Sequence, residues 1–108
     1  VIHCIRPFPG GINDMRMLKQ RAGQHFCLWG GINPEEDMER ATPAETRRAV
    51  IDVILAAAAG GGFVLSTGGS LWDASRYDNA MALIETAKEF GRYPIDVAKL
   101  EAALKQLT

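Results

Sequence analysis

The segment GGGFVLSTGGS, residues 60–70, places a short apolar run between two clusters of glycine. The run at 63–67 is bounded by glycine and rich in strand-forming residues, so it predicts a β-strand. A helical pattern comes before the first cluster and another comes after the second. Glycines 60–62 are therefore expected to end a helix in the left-handed conformation, whereas Gly68 and Gly69 lie in a strand-to-helix loop.

Two further apolar runs predict strands earlier in the chain. VIHCI at 1–5 ends at the proline-rich RPFPGG, and HFCLW at 25–29 ends at a glycine pair. Alternation along the second run would place His25, Cys27 and Trp29 on one face, with Trp29 nearest the carboxyl end of the strand. Such apolar runs favour strands that are covered on both faces. Strands that alternate with helices indicate an α/β fold of parallel strands joined by right-handed crossovers.

Capping residues mark the first two helices. Asn13 or Asp14 would cap a short helix over 15–22. Thr42 and Glu45 have the spacing of a capping box, which predicts the start of a longer helix. Arg47 lies near the start of this helix and is expected on its solvated outer face. The apolar stripe of the helix is expected to consist of Ala44, Val50, Ile51, Ile54, Leu55 and Ala58.

Two more helices are predicted after the last strand. Ser75 and Asp78 have the spacing of a second capping box, and the helix that they would open ends near Gly91. Asp96 is expected to cap the final helix. The buried faces of these helices are expected to include Met81, Ile84 and Ala87 in the first, and Val97, Leu100, Leu104 and Leu107 in the second.

The composition is typical of one ordinary folded domain over residues 1–108. The chain is 47% hydrophobic and 23% charged, with a net charge of −1. It therefore lacks the basic excess of a protein that binds nucleic acid or an anionic membrane surface. No apolar run approaches the roughly 20 residues that cross a bilayer. With Cys4 and Cys27 expected to be free, buried thiols, we predict a cytoplasmic protein.

Any binding site is expected at the carboxyl ends of the strands, where ligands bind to parallel α/β sheets. Ser66, Thr67 and Ser70 offer hydroxyl groups there, and the amides of Gly68 and Gly69 could bind an anion. A P-loop is excluded because no lysine follows these glycines. A dinucleotide fingerprint is excluded because the glycines at 60–62 precede a strand.

Arg6 ends the first predicted strand at the same edge of the sheet. Its planar guanidinium group suits recognition of a carboxylate, since the two groups can form a pair of parallel hydrogen bonds. The alternative is an arginine that lies in solvent or bonds to the backbone.

The segments LKQRAGQHFCLWGGINP, TPAETRRAVIDVI, GGGFVLSTGGS and YDNAMALIETAKEFGRYPI resemble, in this order and spacing, the C-terminal third of the uroporphyrinogen decarboxylase family. This family includes the decarboxylases of haem synthesis and the related cobalamin-dependent methyltransferases. The resemblance implies a TIM (β/α)₈ barrel, which takes roughly 250 residues to close. The chain would supply about the last three β/α units as a partial barrel.

The resemblance also implies partners and a substrate. A partial barrel has bare sheet edges, so we expect self-association or a second chain that supplies the missing strands. The parent reaction would be decarboxylation of acetate side chains on a tetrapyrrole, with no turnover by this chain alone. The alternatives are corrinoid-linked methyl transfer and a non-catalytic, self-associating β/α module. The implied binding loops are 6–11, 30–33 and 66–73, which include Arg6, Trp29, Gly30, Gly31, Asn33, Ser66, Thr67, Gly68, Gly69 and Ser70.

We expect no cofactor, with zinc or a corrinoid only in the methyltransferase branch. That branch binds zinc through a His-x-Cys pair and a later cysteine, but His25 and Cys27 fall on the wrong strand. The later position corresponds to Gly69, which has no ligand atom. The decarboxylases' histidine also falls near Gly69, so the catalytic residues are unknown. His3 and Cys4, as neighbours in a strand, are expected on opposite faces and therefore unable to ligate a metal jointly.

Overall fold

Three parallel strands, hydrogen-bonded in the order of the sequence, form the sheet of this protein. The computed structural model describes residues 1–7 and 14–107. Within them the sequence folds into β1 (Ile2–Ile5), α1 (Met15–Ala22), β2 (Leu28–Ile32), a π-helical segment (Glu36–Arg40), α2 (Pro43–Ala57), β3 (Phe63–Thr67), α3 (Tyr77–Phe90) and α4 (Val97–Gln106). The predicted α/β class with parallel β/α units is confirmed.

The helices pack on one face of the sheet and form the core there. Leu28 and Ile32 of β2 are fully buried against Val50, Ile51 and Ile54 of α2. Residues 1–7 and 14–107 leave the opposite face uncovered, so within them the prediction of strands covered on both faces is wrong. We call this face the open face; its members are His3, Trp29 and Val64, all three exposed.

The second strand begins three residues later than the sequence predicts. His25 and Phe26 lie in a turn, where their amides donate to the carbonyl oxygen of Ala22. Gly30 and Gly31 lie inside β2 instead of ending it. Both have positive φ, 144° and 102°, and a Cβ at either position would come within 2.6 Å of a neighbouring atom. A prediction from residue propensities places glycine at the end of a strand. Here the two glycines belong to the strand because its neighbours approach too closely for any side chain.

Most of the predicted helix caps are confirmed. Asp14 caps α1, Thr42 and Glu45 form the capping box of α2, and Asp96 caps α4. Asn13, the alternative cap of α1, lies outside the described residues. The second capping box is wrong: α3 begins after Arg76 without a side-chain cap, because the Ser75 hydroxyl instead accepts a hydrogen bond from the amide of Trp72.

The buried face of α3 differs from the predicted one. Ile84 is exposed, whereas Asn79, Thr86 and Phe90 are buried. Asn79 donates from Nδ2 to the carbonyl oxygens of Met38 and Ala41 and so fixes α3 to the π-helical segment. Hydrophobic periodicity misses such a face because two of its buried residues are polar.

Arg47 joins two helices at the surface of the protein. Its guanidinium group donates to both carboxylate oxygens of Glu89, at 2.8 and 3.3 Å, and lies 5.2 Å from the centre of the Phe90 ring. The hydrogen bonds from Arg47 lower the pKa of Glu89. Arg47 is therefore partly exposed on the outer face, as predicted, and also makes a contact with α3 that was not predicted.

The two glycine clusters lie at opposite ends of β3, as predicted. Residues Gly60, Gly61 and Gly62 have φ of 83°, 87° and 71° and precede β3. Gly68 and Gly69 follow it. None of the described helices is long and apolar enough to cross a membrane.

A bulge interrupts β1. Ile2 pairs with Leu28 and Ile5 with Gly30, so three steps along β1 match two steps along β2. The extra residue is accommodated at Cys4, whose φ of 60° lies in the left-handed region. This conformation costs an L-residue about 1–2 kcal/mol and costs glycine little.

We expect Cys4→Gly to be more stable than Cys4→Ala by about 0.5–1 kcal/mol, because only glycine avoids the steric penalty of the left-handed conformation. Urea unfolding of the two variants measures the difference. Cys27, whose backbone is not in this conformation, is the matched position, and there glycine should be the less stable variant. Equal stability of the two Cys4 variants would contradict strain at the bulge.

Candidate functional site

The carboxyl ends of the three strands meet at one edge, which we call the rim. Its residues include Arg6 after β1, Asn33 after β2, and Gly68 and Gly69 after β3. The amide of Gly68 donates to the carbonyl oxygen of Ile32 at 2.7 Å, which continues the ladder one residue beyond β3. The rim therefore brings together the predicted residues from all three strand ends.

Arg6 forms an ion pair with Glu35 across the rim. Both side chains are about one-third exposed, at 30% and 35%. Arg6 therefore does contact a carboxylate, although the carboxylate belongs to the protein itself. A ligand carboxylate at this position would have to share the guanidinium group with Glu35 or displace it.

Asn33 is a buried connection between the strand ends. Its Oδ1 accepts hydrogen bonds from the amides of Glu35 and Glu36, at 2.9 and 3.1 Å, and its Nδ2 donates to the carbonyl oxygen of Pro7 at 3.1 Å. Only 1% of its surface is exposed. Asn33 thus holds the loops of the rim in place and is not presented to a ligand.

Gly68 allows the strand ends to converge. A Cβ at this position would lie 2.7 Å from the carbonyl oxygen of Ile5 and 2.8 Å from Cα of Arg6. Backbone atoms cannot move aside as a flexible side chain can. At Gly69, by contrast, a Cβ would meet nothing closer than Pro34 Cγ at 3.9 Å.

The hydroxyl groups of the rim bond locally. Ser66 donates to the carbonyl oxygen of Thr67 at 3.0 Å, and Thr67 donates to that of Gly69 at 2.6 Å. Their protons are therefore used within the loop, and only Ser70 of the three hydroxyl residues is exposed. The Gly68 amide is also used, in its bond to Ile32, so the predicted anion site at Gly68 and Gly69 lacks one of its donors.

Trp29 lies on the open face but not at the rim. It is the second residue of β2, and three further residues of the strand follow it. The predicted face is correct and the predicted position nearest the ligand end is wrong, because the strand starts later than predicted. Its indole packs against the His3 imidazole, with 4.5 Å between ring centres.

The structure differs from the sequence predictions for both histidine–cysteine pairs, His25 with Cys27 and His3 with Cys4. His25 lies in the turn after α1, so His25 and Cys27 do not form a pair along a strand. His3 and Cys4 are in contact, with Cys4 Sγ 3.5 Å from His3 Nδ1. The expectation that these two neighbours point to opposite faces is wrong, because the bulge ends the alternation of side chains. Within residues 1–7 and 14–107, no group of three or more His, Cys, Asp or Glu side chains could hold a metal ion.

An acidic cavity between α1 and α2 was not predicted. It has a volume of about 360 Å³, and its polar lining includes Asp14, Arg16, Asp37 and Asp52. Burial raises the pKa of Asp37, and the negative charges of Glu36 and Asp52 raise it further. The backbone amide of Asn33, which donates to Oδ2 of Asp37 at 2.8 Å, lowers the pKa in part. The sequence offers a partial signal in NPEED at 33–37, where an asparagine precedes a run of carboxylates.

A second cavity, of about 500 Å³, lies at the opposite edge of the sheet beside glycines 60–62. Lys19 lines it and donates from Nζ to the carbonyl oxygen of Gly61 at 2.5 Å. The lysine therefore connects α1 to the glycine turn that precedes β3.

No family model, curated protein or solved structure matches this chain.

We expect Gly68→Ala to lower the free energy of unfolding by about 1–3 kcal/mol, since the new methyl group would clash with the backbone of Ile5 and Arg6. Gly69→Ala is the matched control and should change it by less than about 0.5 kcal/mol. Urea unfolding measures both. A harmless Gly68→Ala would show that the strand ends do not converge as described.

We expect Asp37→Asn to alter the pH dependence of stability. The carboxyl pKa of Asp37 is higher in the folded than in the unfolded chain, so its contribution to the free energy of unfolding decreases as pH rises from about 3.9 through the folded value. The asparagine does not titrate and can still accept from the Asn33 amide. The variant should therefore gain stability relative to the native protein over this range and keep the gain above it.

Urea unfolding at a series of pH values from about 3 to 7 measures this difference. The exposed Asp73→Asn serves as the control, and its difference from the native protein should stay small throughout. A constant difference for Asp37→Asn across the series would contradict the raised pKa.

Proposed function

We propose that the chain is the C-terminal part of a uroporphyrinogen decarboxylase-like barrel whose complete form removes acetate carboxyl groups from a tetrapyrrole. The observation that carries the proposal is the topology: parallel strands in sequence order, with the helices on one face and the other face open. In a (β/α)₈ barrel each segment has this arrangement, because the helices form the outer layer and the strands enclose an interior.

The open face fits a barrel interior. Trp29 and Val64 are register partners on β2 and β3 and are 38% and 40% exposed, while the helix-facing Leu28 is fully buried. Apolar groups of this size gain free energy when they are covered. A set of strands that continued the sheet from β1 and β3 would close over them.

The rim supports the choice of an anionic substrate. Arg6 lies at the carboxyl end of β1, which is the edge where barrel enzymes bind their substrates. Glu35 holds its guanidinium group in place and would exchange it with a substrate carboxylate. The amide of Asn33 and the hydroxyl of Thr67 are engaged within the protein, so in this proposal they shape the rim and Arg6 makes the charged contact.

Two alternatives remain within this proposal. The corrinoid-linked methyltransferase branch would take its metal ligands from outside the described residues. A non-catalytic β/α module that associates with itself is favoured by the uncovered side chains of the open face. In each case the missing strands come from further copies or from another chain, and the chain alone is expected to have no turnover.

Native mass spectrometry of the purified chain with uroporphyrin, a stable tetrapyrrole that carries acetate and propionate side chains, tests the proposal. We expect assemblies of more than one copy that retain the porphyrin. Arg6→Gln should reduce the bound fraction about tenfold, because a charge-assisted hydrogen bond contributes about 1.5–3 kcal/mol. Arg6→Lys should restore binding only in part, since it keeps the charge and loses the planar fork.

The exposed Arg21→Gln on α1 is the matched control and should leave binding unchanged. A monomer that binds no porphyrin would contradict the proposal. Assembly without porphyrin binding would instead support the non-catalytic module. Equal losses for Arg6→Gln and Arg21→Gln would show that porphyrin binding does not depend on the rim.

A further inference from the structure

The ion pair between Arg6 and Glu35 places a carboxylate of the protein on the guanidinium group that the rim would offer to a ligand. Nη2 of Arg6 contacts Oε1 of Glu35. At 30% and 35% exposure, both side chains can be reached from solvent. Ion pairs of this kind exchange readily, because water stabilises the separated charges almost as well as they stabilise each other. A carboxylate that arrives from solvent therefore meets Arg6 already occupied.

The rim is held together by other contacts than this pair. Nδ2 of Asn33 donates to the carbonyl oxygen of Pro7 at 3.1 Å and so connects the segment after β1 to the end of β2. Oδ1 of the same residue accepts from the backbone amide of Glu35 at 2.9 Å, and its own amide donates to Asp37 at 2.8 Å. These bonds fix the loop through its backbone and leave the carboxylate of Glu35 available for another role.

The two members of the pair differ in how firmly they are held. A Cβ on Gly68 would lie 2.8 Å from Cα and 3.0 Å from Cβ of Arg6, so the end of β3 packs directly against the base of the arginine side chain. Glu35 lies in the turn before the π-helical segment. When its carboxylate leaves Arg6 it returns to water, so the exchange buries no unpaired charge. A ligand can therefore displace Glu35 while Arg6 stays at the rim.

We propose that Glu35 is an autoinhibitory carboxylate, which competes with ligand carboxylates for Arg6 and lowers their affinity for the rim. The inference rests on the role that the proposed function gives to Arg6. A competitor attached to the same chain is present at a fixed effective concentration, so it weakens the binding of every carboxylate ligand by the same factor. A small monocarboxylate has no other contact to offset this factor, whereas a polycarboxylate with an apolar body has several.

Isothermal titration calorimetry of the purified chain with tricarballylate, a small tricarboxylate without a ring, tests the competition separately from porphyrin binding. Glu35→Gln removes the competing charge, so we expect the Kd to fall about fivefold, the factor that corresponds to an exposed ion pair at the top of its usual range. Glu35→Asp keeps the charge and shortens the reach by one methylene group, so the Kd should fall by less. This second variant decides the question if Glu35→Gln fails to fold.

Glu36→Gln is the matched control, because it removes the same charge one residue along the chain from a side chain that pairs with Arg40. It should leave the Kd unchanged. In an Arg6→Gln background, Glu35→Gln should bring no gain, since the group for which it competes is absent. The proposal is overturned if Glu35→Gln binds tricarballylate no tighter than the native chain, or if Glu36→Gln gains as much.

Native mass spectrometry with uroporphyrin separates this proposal from the proposed function. Retained porphyrin without a gain for Glu35→Gln would overturn the autoinhibition alone, and Glu35 would then be a brace for Arg6. A gain that depends on Arg6, in a chain that binds no porphyrin, would support the competition and contradict the tetrapyrrole.

Discussion

The packing of α2 against the central strand is the constraint on which the rest of the structure depends. Leu28 and Ile32 are fully buried beneath Val50 and Ile51, and each such side chain contributes about 1.5–3 kcal/mol by leaving water. Gly31 lets the layers come this close, because a Cβ there would lie 2.5 Å from Val53 Cγ2. The exposed pair of Arg47 and Glu89 contributes at most about 1 kcal/mol, so apolar burial on one face determines the fold.

The sequence predicts those parts of the fold that depend on local chemistry. The capping box at Thr42 and Glu45 satisfies backbone groups within four residues, so its signal is complete in the sequence. The start of β2 has no such signal. Gly30 and Gly31 resemble a strand end when read locally, and only the approach of β1 and α2 makes them part of the strand. The buried face of α3 escapes prediction for a related reason, since Asn79 is buried through bonds to a segment forty residues earlier.

The candidate site was predictable in position but not in detail. Parallel strands fix which edge carries Arg6 and Gly68, and this follows from the order of elements alone. Which partner each side chain contacts depends on loops whose conformation the sequence does not predict. Glu35, which pairs with Arg6, lies in such a loop, directly before the π-helical segment. The contact between His3 and Cys4 was excluded by the rule of alternation, because nothing in VIHCI marks the bulge that breaks this rule.

The open face is the part of the sheet that packing among the described residues leaves incomplete. Trp29 and Val64 are register partners on β2 and β3 and remain 38% and 40% exposed, whereas Leu28, the neighbour of Trp29 in β2, is fully buried on the helix side. Covering apolar groups of this size gains free energy, so the same kind of burial that holds α2 on one face favours further strands over the other face in the proposed assembly. Apolar burial would then hold both faces of a single sheet, with α2 on one side and strands of other copies or of another chain on the other.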